Sequence, residues 1–184
     1  GEPTTLNAVV DTMAASDVVL IGEAHDDPVA HQLELYLFMR ASEAATRHPH
    51  SRSVKLSLEQ FERDVQPVMD EYLAGSIREE DFLMDARPWG NYARDYRPLI
   101  EYAKVVGIPV LAANAPRRYV SAAGSRGLAS LTGELSENAR RLMHPLPLPA
   151  VSVDYKAHFQ WAHADGANLN EPPAEVAGGG CPYI

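Results

Sequence analysis

The sequence predicts an α/β protein with a mainly parallel central sheet flanked by helices. Three observations carry this. Short apolar or alternating runs (residues 17–21, 54–59 and 108–113) have the length and composition of strands. Segments with apolar residues at helical spacing separate them, the pattern of a parallel sheet with crossover helices. Each strand candidate ends in polar residues: Glu23 and His25, then Glu59, then Asn114 and Arg117. Carboxyl ends of parallel strands share one edge, where open α/β sheets keep their sites.

Taken in order, Leu6, Val9, Val10 and Met13 give a short lead-in helix over residues 4–15. Val18-Val19-Leu20-Ile21 then reads as a strand buried on both faces, because four consecutive apolar residues leave no polar face for water. Gly22 lets the backbone turn before Glu23, His25, Asp26 and Asp27. Pro28 suits the first turn of a helix, with Asp26 or Asp27 as its cap. Leu33, Tyr36, Leu37, Ala41 and Ala44 mark that helix's apolar face, and the run His48-Pro49-His50-Ser51 ends it. A strand over 54–59 follows. Next come a helix through Val65, Val68, Met69, Tyr72 and Leu73, a short helix from the capping box Ser76–Glu79, and a joint at Pro88-Trp89-Gly90-Asn91. Tyr92, Tyr96, Leu99, Ala103 and Val106 define another helix stopped by Gly107, and the third strand begins with Pro109 near its start, where a missing donor is tolerated. Residues 136–143 read as helical. Residues 1–163 form one expected domain; residues 164–184, rich in Ala, Gly, Pro and Asn, form an irregular tail.

With 184 residues the chain is long enough for one domain with a true core. Its net charge of −9 argues against nucleic-acid binding, which favours a basic face. No apolar run approaches the ~20 residues of a membrane span. The single cysteine, Cys181, excludes an internal disulfide and a multi-thiolate metal site. The missing Met before Gly1-Glu2-Pro3 reads as a processed or trimmed start.

Glu23, His25 and Glu59, with Asn114 and Arg117, are the candidate catalytic set: an imidazole for general base work, carboxylates to orient it, and a guanidinium for an anion. Glu23, His25 and Glu59 also make a three-ligand set for a divalent metal with one position open. The plainer readings stand beside these. His25 can bond a backbone carbonyl, Glu23 can pair with Arg117, and Asn114 can be a turn former. His31, Trp89, Tyr96, Tyr155 and His158 are candidates for cofactor contact, since imidazole and phenolate both ligate iron; the aromatics equally suit a core. No serine-hydrolase elbow and no Walker or Rossmann glycine pattern occurs.

Gly22-Glu23-x-His25-Asp26, His31-Gln32, and Leu58-Glu59-x-Phe61 with Asp64 and Gln66 resemble the ChaN-like haem-binding uptake family. So do Trp89 with Tyr96 and Pro98, and Ala113-Asn114-Ala115-Pro116-Arg117. The likeness covers roughly residues 5–125, in the right order. This family shares a superfamily with the Tiki and TraB proteins and is similar to the erythromycin esterases. The resemblance implies an α/β fold and a bacterial, iron-linked lipoprotein of the cell envelope. Haem would be its cofactor, held as a cofacial pair in a dimer with tyrosine and histidine near the iron, and the membrane would be met only through a lipid anchor. In the enzymatic relatives, residues matching His25, Glu23 and Glu59 serve hydrolysis or metal binding, so a metal-dependent or His/Glu-assisted hydrolase is the alternative function. Tyr96 matches a family motif position. The family's second half, with an Ala-Gln…Asp…Met-Ala helix and a late Gly-x-x-His, has no match here, so a truncated or diverged end and a homo-oligomer are the expectation.

Overall fold

The computed structural model describes residues 3–47, 52–129, 131, 133, 135–145 and 150–162. The chain separates into two compact units, Gly1–His144 and Pro145–Ile184. The tail expected at 164–184, with His163 and Cys181, lies outside the described residues, as does the helix stop at 48–51.

In the first unit α1 (Leu6–Ala15) begins at Thr5, whose hydroxyl accepts from the Ala8 amide at 3.2 Å and satisfies a first-turn donor. It buries Val10 and Ala14 and packs on α2 (Pro28–Arg47). Asp27 caps α2, its carboxylate accepting from the amides of Val29 at 2.8 Å and Ala30 at 3.3 Å. The buried stripe of α2 is His31, Leu37, Phe38, Ser42 and Ala45. The sequence-based face is corrected by this, since Leu33 and Tyr36 are exposed. Polar His31 and Ser42 take inward positions because each finds partners: Ser42 bonds the Tyr102 hydroxyl at 2.8 Å, and His31 joins the cluster described below.

Among the described residues the sheet has two parallel strands, β1 (Leu56–Glu62) and β2 (Val110–Asn114). Leu56 pairs with Val110 and Leu58 with Ala112, but Glu62 pairs with Asn114, so β1 carries extra residues between Leu58 and Glu62. Alternation puts Leu58 and Gln60 inward and Glu59 outward; the irregularity then lets Phe61 bury as well. The crossover runs through a 3-10 turn (Arg63–Val65), α3 (Gln66–Leu73), α4 (Glu79–Ala86), α5 (Tyr92–Asp95) and α6 (Arg97–Val106). The single helix expected over 92–106 is two, meeting at Tyr96 and Arg97, where Pro98 occupies the first turn of α6. Gly107, with φ of 74°, closes α6 in the left-handed conformation glycine adopts freely. After β2 come α7 (Arg117–Arg126) and α8 (Glu137–Arg141), the latter capped by Ser136.

The core lies between the sheet and the crossover helices. Phe61, Met69, Phe82, Tyr96 and Ile100 are fully buried, and Tyr72 stacks on Phe82 with ring centroids 4.5 Å apart. Gln66 serves the sheet directly: its amide donates to the Val110 carbonyl and accepts from the Ala112 amide, both at 2.8 Å. One side chain thereby satisfies two backbone groups of β2. At the carboxyl end of β1, Asp64 accepts from Arg87 at 3.0 Å and from Arg118, and Arg87 also reaches Glu62 at 3.2 Å. Arg87 ends α4 at φ 52°, the left-handed region.

The strand expected over 17–21 is not formed. Among the described residues no ladder bond joins it to β1. It nevertheless runs beside β1 in the same direction. Arg52, just before β1, bonds Asp17 and the Ser16 carbonyl, and Gln60 near the end of β1 bonds Glu23 at 2.9 Å. Exposure alternates along it, 74% at Val18, 40% at Val19, 80% at Leu20 and 47% at Ile21, as in an extended chain. The double-sided burial read from its composition needs elements on both flanks, and none packs there among the described residues.

The second unit contains α9 (Val153–Ala162), with Tyr155 and Phe159 stacked at 6.5 Å. No helix among the described residues is long and apolar enough to cross a membrane.

Candidate functional site

Glu23 follows the pinned segment and is brought against α2, β1 and the start of α6. Its Oε1 accepts three hydrogen bonds: from the Tyr96 hydroxyl at 2.6 Å, from His25 Nδ1 at 2.8 Å and from Gln60 Nε2 at 2.9 Å. Its Oε2 lies 3.5 Å from His31 Nδ1, which lies 3.2 Å from Glu34 Oε2. His31 and Glu34 share a face of α2 because they are three residues apart. His31 Nε2 is 3.2 Å from the His25 carbonyl and 3.8 Å from Asp95. Asn91 donates to the same carbonyl and to Asp95, each at 2.8 Å, and Arg94 clamps Asp95 through two nitrogens at 2.7 and 2.8 Å. The loop that carries His25 is thus held through its backbone, leaving the imidazole to face outward.

The two histidines differ in kind. His31 is buried, its side chain 2% exposed, and both ring nitrogens are engaged. His25 is half exposed; Nδ1 is tied to Glu23, and Nε2 makes no hydrogen bond among the described residues. With Nδ1–H donated to a carboxylate, Nε2 of the neutral ring carries the lone pair. The Trp89 ring meets His25 edge-on at 4.8 Å, and Tyr96 meets His31 likewise at 4.9 Å.

Burial by itself raises the Glu23 carboxyl, but the Tyr96 and His25 hydrogen bonds and the nearby His31 outweigh it and hold the pKa below the usual range. Burial, then the adjacent Glu23 charge, pushes Glu34 up. His31 is lowered by burial but raised on balance by the His25 carbonyl, Glu34 and Glu23. Burial and the bond to Glu23 push the Tyr96 phenol up, so it stays protonated as a donor. Arg94 holds Asp95 down at about 2.

Of the residues read from sequence, the structure gathers Glu23, His25, His31, Trp89 and Tyr96. Within the first unit, no hydrogen bond or ion pair among the described residues joins Glu59, Asn114 or Arg117 to them. Glu59 is exposed on the outer side of β1, and its neighbour Gln60 makes the bond to Glu23 instead. The three-ligand set of Glu23, His25 and Glu59 is therefore not assembled. Asn114 lies at the end of β2 beside Glu62, and Arg117 is exposed at the start of α7; it is Arg118 that binds Asp64. Tyr155 and His158 belong to the second unit, both exposed, with His158 Nδ1 against the Asp154 carbonyl at 3.2 Å. Glu34, Gln60, Asn91 and Asp95 were missed. Glu34 was within reach from its i+3 spacing to His31, and Gln60 from its alternation with Leu58. Nothing local marks Asn91 and Asp95, whose partner is a distant backbone carbonyl.

The first unit is thus a parallel-stranded α/β unit that carries a Glu/His cluster with an outward imidazole beside it. Comparison places it more closely. Residues 9–177 match the model of the family described as haem-binding uptake, Tiki superfamily, ChaN, and the chain belongs to that family. It is also similar to the Arabidopsis thaliana protein RETICULATA-RELATED 5, chloroplastic, with 25% identity over 192 residues; all of this chain is covered and 25% of that protein, so the chain spans about a quarter of that relative's length. No solved structure matches it.

Proposed function

We propose that this chain binds haem for uptake, with His25 as the iron ligand. The observation that carries this is the His25–Glu23 pair: a carboxylate fixes the tautomer and orientation of a half-exposed imidazole, the outer partner that metal-binding histidines commonly have. Family membership supports haem as the group. The donor chemistry fits at His25 and at no other candidate of the cluster. Tyr96 has its hydroxyl committed to Glu23 and its pKa raised, so no phenolate is offered. His31 is buried, its side chain 2% exposed, out of reach of a macrocycle. Trp89 beside His25 supplies an aromatic wall for a flat macrocycle. Bound haem would bring the redox and axial-ligand chemistry of its iron.

Titrating the protein with hemin tests this. A saturable shift of the Soret band is expected, weakened at least about tenfold in His25→Ala. A wild-type protein that gives no saturable shift would falsify the reading.

The same pair supports a second reading, hydrolysis with His25 as general base, because Nε2 is outward and Glu23 would stabilise the imidazolium. Turnover of a chromogenic ester that falls about a hundredfold or more in His25→Ala favours it; turnover indifferent to that substitution excludes it.

A further inference from the structure

We propose a divalent-cation site, separate from His25, formed by Glu23 Oε2, His31 Nδ1 and Glu34 Oε2. These three residues each offer a ligand atom, all within 4.8 Å of one another. The imidazole nitrogen lies 3.5 Å from one carboxylate oxygen and 3.2 Å from the other. Donors held about 2.0–2.1 Å from one zinc ion lie about 3.3 Å apart in a tetrahedral shell, so two of the three separations already match.

The surroundings are those of a cation site. His31 Nε2 lies against the His25 carbonyl at 3.2 Å, and that carbonyl is held by Asn91. A backbone acceptor on the far nitrogen fixes the tautomer whose Nδ1 lone pair faces the two carboxylates, the usual outer partner of a metal-bound histidine. Charge points the same way. Glu23 and Glu34, each 12% exposed, and Asp95, 1% exposed, bring three carboxylates together. Arg94 answers Asp95, but among the described residues neither Lys nor Arg contacts Glu23 or Glu34. Among the described residues His31 is the cationic partner of this partly buried carboxylate pair, so the pair's charge is met by a proton or, in its place, by a metal ion. Two carboxylate oxygens and one imidazole nitrogen suit zinc or a similar first-row divalent ion, with a fourth position left for a small oxygen or nitrogen donor. Glu23 spans both sites, Oε1 toward His25 and Oε2 toward the ion. This set differs from the one read from sequence, in which His25 and Glu59 were the other ligands.

Zn2+ alone is the probe, followed by calorimetry, with Co2+ absorption as the readout of geometry. One equivalent is expected to bind, with the intense visible bands of four-coordinate Co2+. Glu34→Gln, which keeps the shape of the side chain and relieves the carboxylate pair, should fold and weaken binding more than about a hundredfold, beyond the loss typical of an outer-shell partner. His25→Ala should keep it. Absence of one-equivalent binding, or binding that survives Glu34→Gln, overturns the proposal. So does binding that disappears in His25→Ala while persisting in Glu34→Gln. None of these readouts uses hemin, so the haem reading can fail while this one stands.

Discussion

The sheet region and the segment before α2 are both rich in apolar residues, yet they are held by opposite means. Around β1 and β2 the side chains do the holding: Phe61, Phe82, Tyr96 and Ile100 are fully enclosed, and Gln66 completes the strand backbone. Over residues 17–23 the apolar side chains contribute little, and polar contacts at the two ends, Arg52 with Asp17 and Gln60 with Glu23, fix the course of the chain. The difference teaches that apolar character states what a segment can bury, while its neighbours decide whether it does. It also explains why the site sits where it does. Glu23 stands at the border of the two regions and is the last point at which core residues grip the segment.

The comparison can be broken most severely in the core. Phe61→Ala should destabilise the protein by about 3–5 kcal/mol in urea unfolding, from lost burial and the cavity left behind. A loss below about 1 kcal/mol would mean the core is loosely packed. At the border, Glu23→Ala removes the acceptor of Tyr96 and Gln60 and should cost about 1–3 kcal/mol. His25→Ala, on the exposed side of the same carboxylate, should stay within about 0.5 kcal/mol while weakening hemin binding at least about tenfold.

Acid titration gives a smaller effect. Burial raises Asp64, but the Arg118 and Arg87 bonds outweigh it, so its folded pKa lies below the ordinary 3.8. A depressed carboxylate stabilises the fold fully above its unfolded value, and that contribution disappears as pH falls through the folded one. The gap in urea midpoint between wild type and Asp64→Asn should therefore be present near neutral pH and close well below 3.8. The corresponding difference in unfolding free energy should not exceed about 1 kcal/mol, as the ion cluster is partly solvated. Least of all, Leu20→Ser should change stability by under about 0.5 kcal/mol. A loss near 2 kcal/mol there would show that the segment is covered in solution and would erase the contrast between the two regions.

Much of the fold was legible. Pro28 with the Asp26–Asp27 pair, and Gly107, marked helix ends through local chemistry that long-range structure did not override. The strand at 54–59 was found by its alternation and the one at 108–113 by its apolar run, and both occur within a few residues of where they were read. The segment Val18–Ile21 misled because an apolar run reports only potential burial. Glu59 misled for a different reason. Its position was read as the tip of a strand, but β1 continues to Glu62 and its alternation points Gln60, not Glu59, toward Glu23. Residues 117–126 and 153–162 form helices that no clear apolar period announced; neither buries an apolar face, and without one the period is silent. The Asn91–Asp95 support was invisible because it answers a backbone carbonyl far along the chain.

The closeness of Trp89 to His25 has an optical consequence. The chain has two tryptophans, and the other, Trp161, belongs to the second unit, so Trp161→Phe leaves emission from Trp89 alone. A strongly absorbing macrocycle arriving at His25 would darken that emission by energy transfer across a few ångströms. A colourless Zn2+ ion among Glu23, His31 and Glu34 would not absorb it. A single indole thus gives the molecule its own dye, able to tell the two occupants apart in one cuvette.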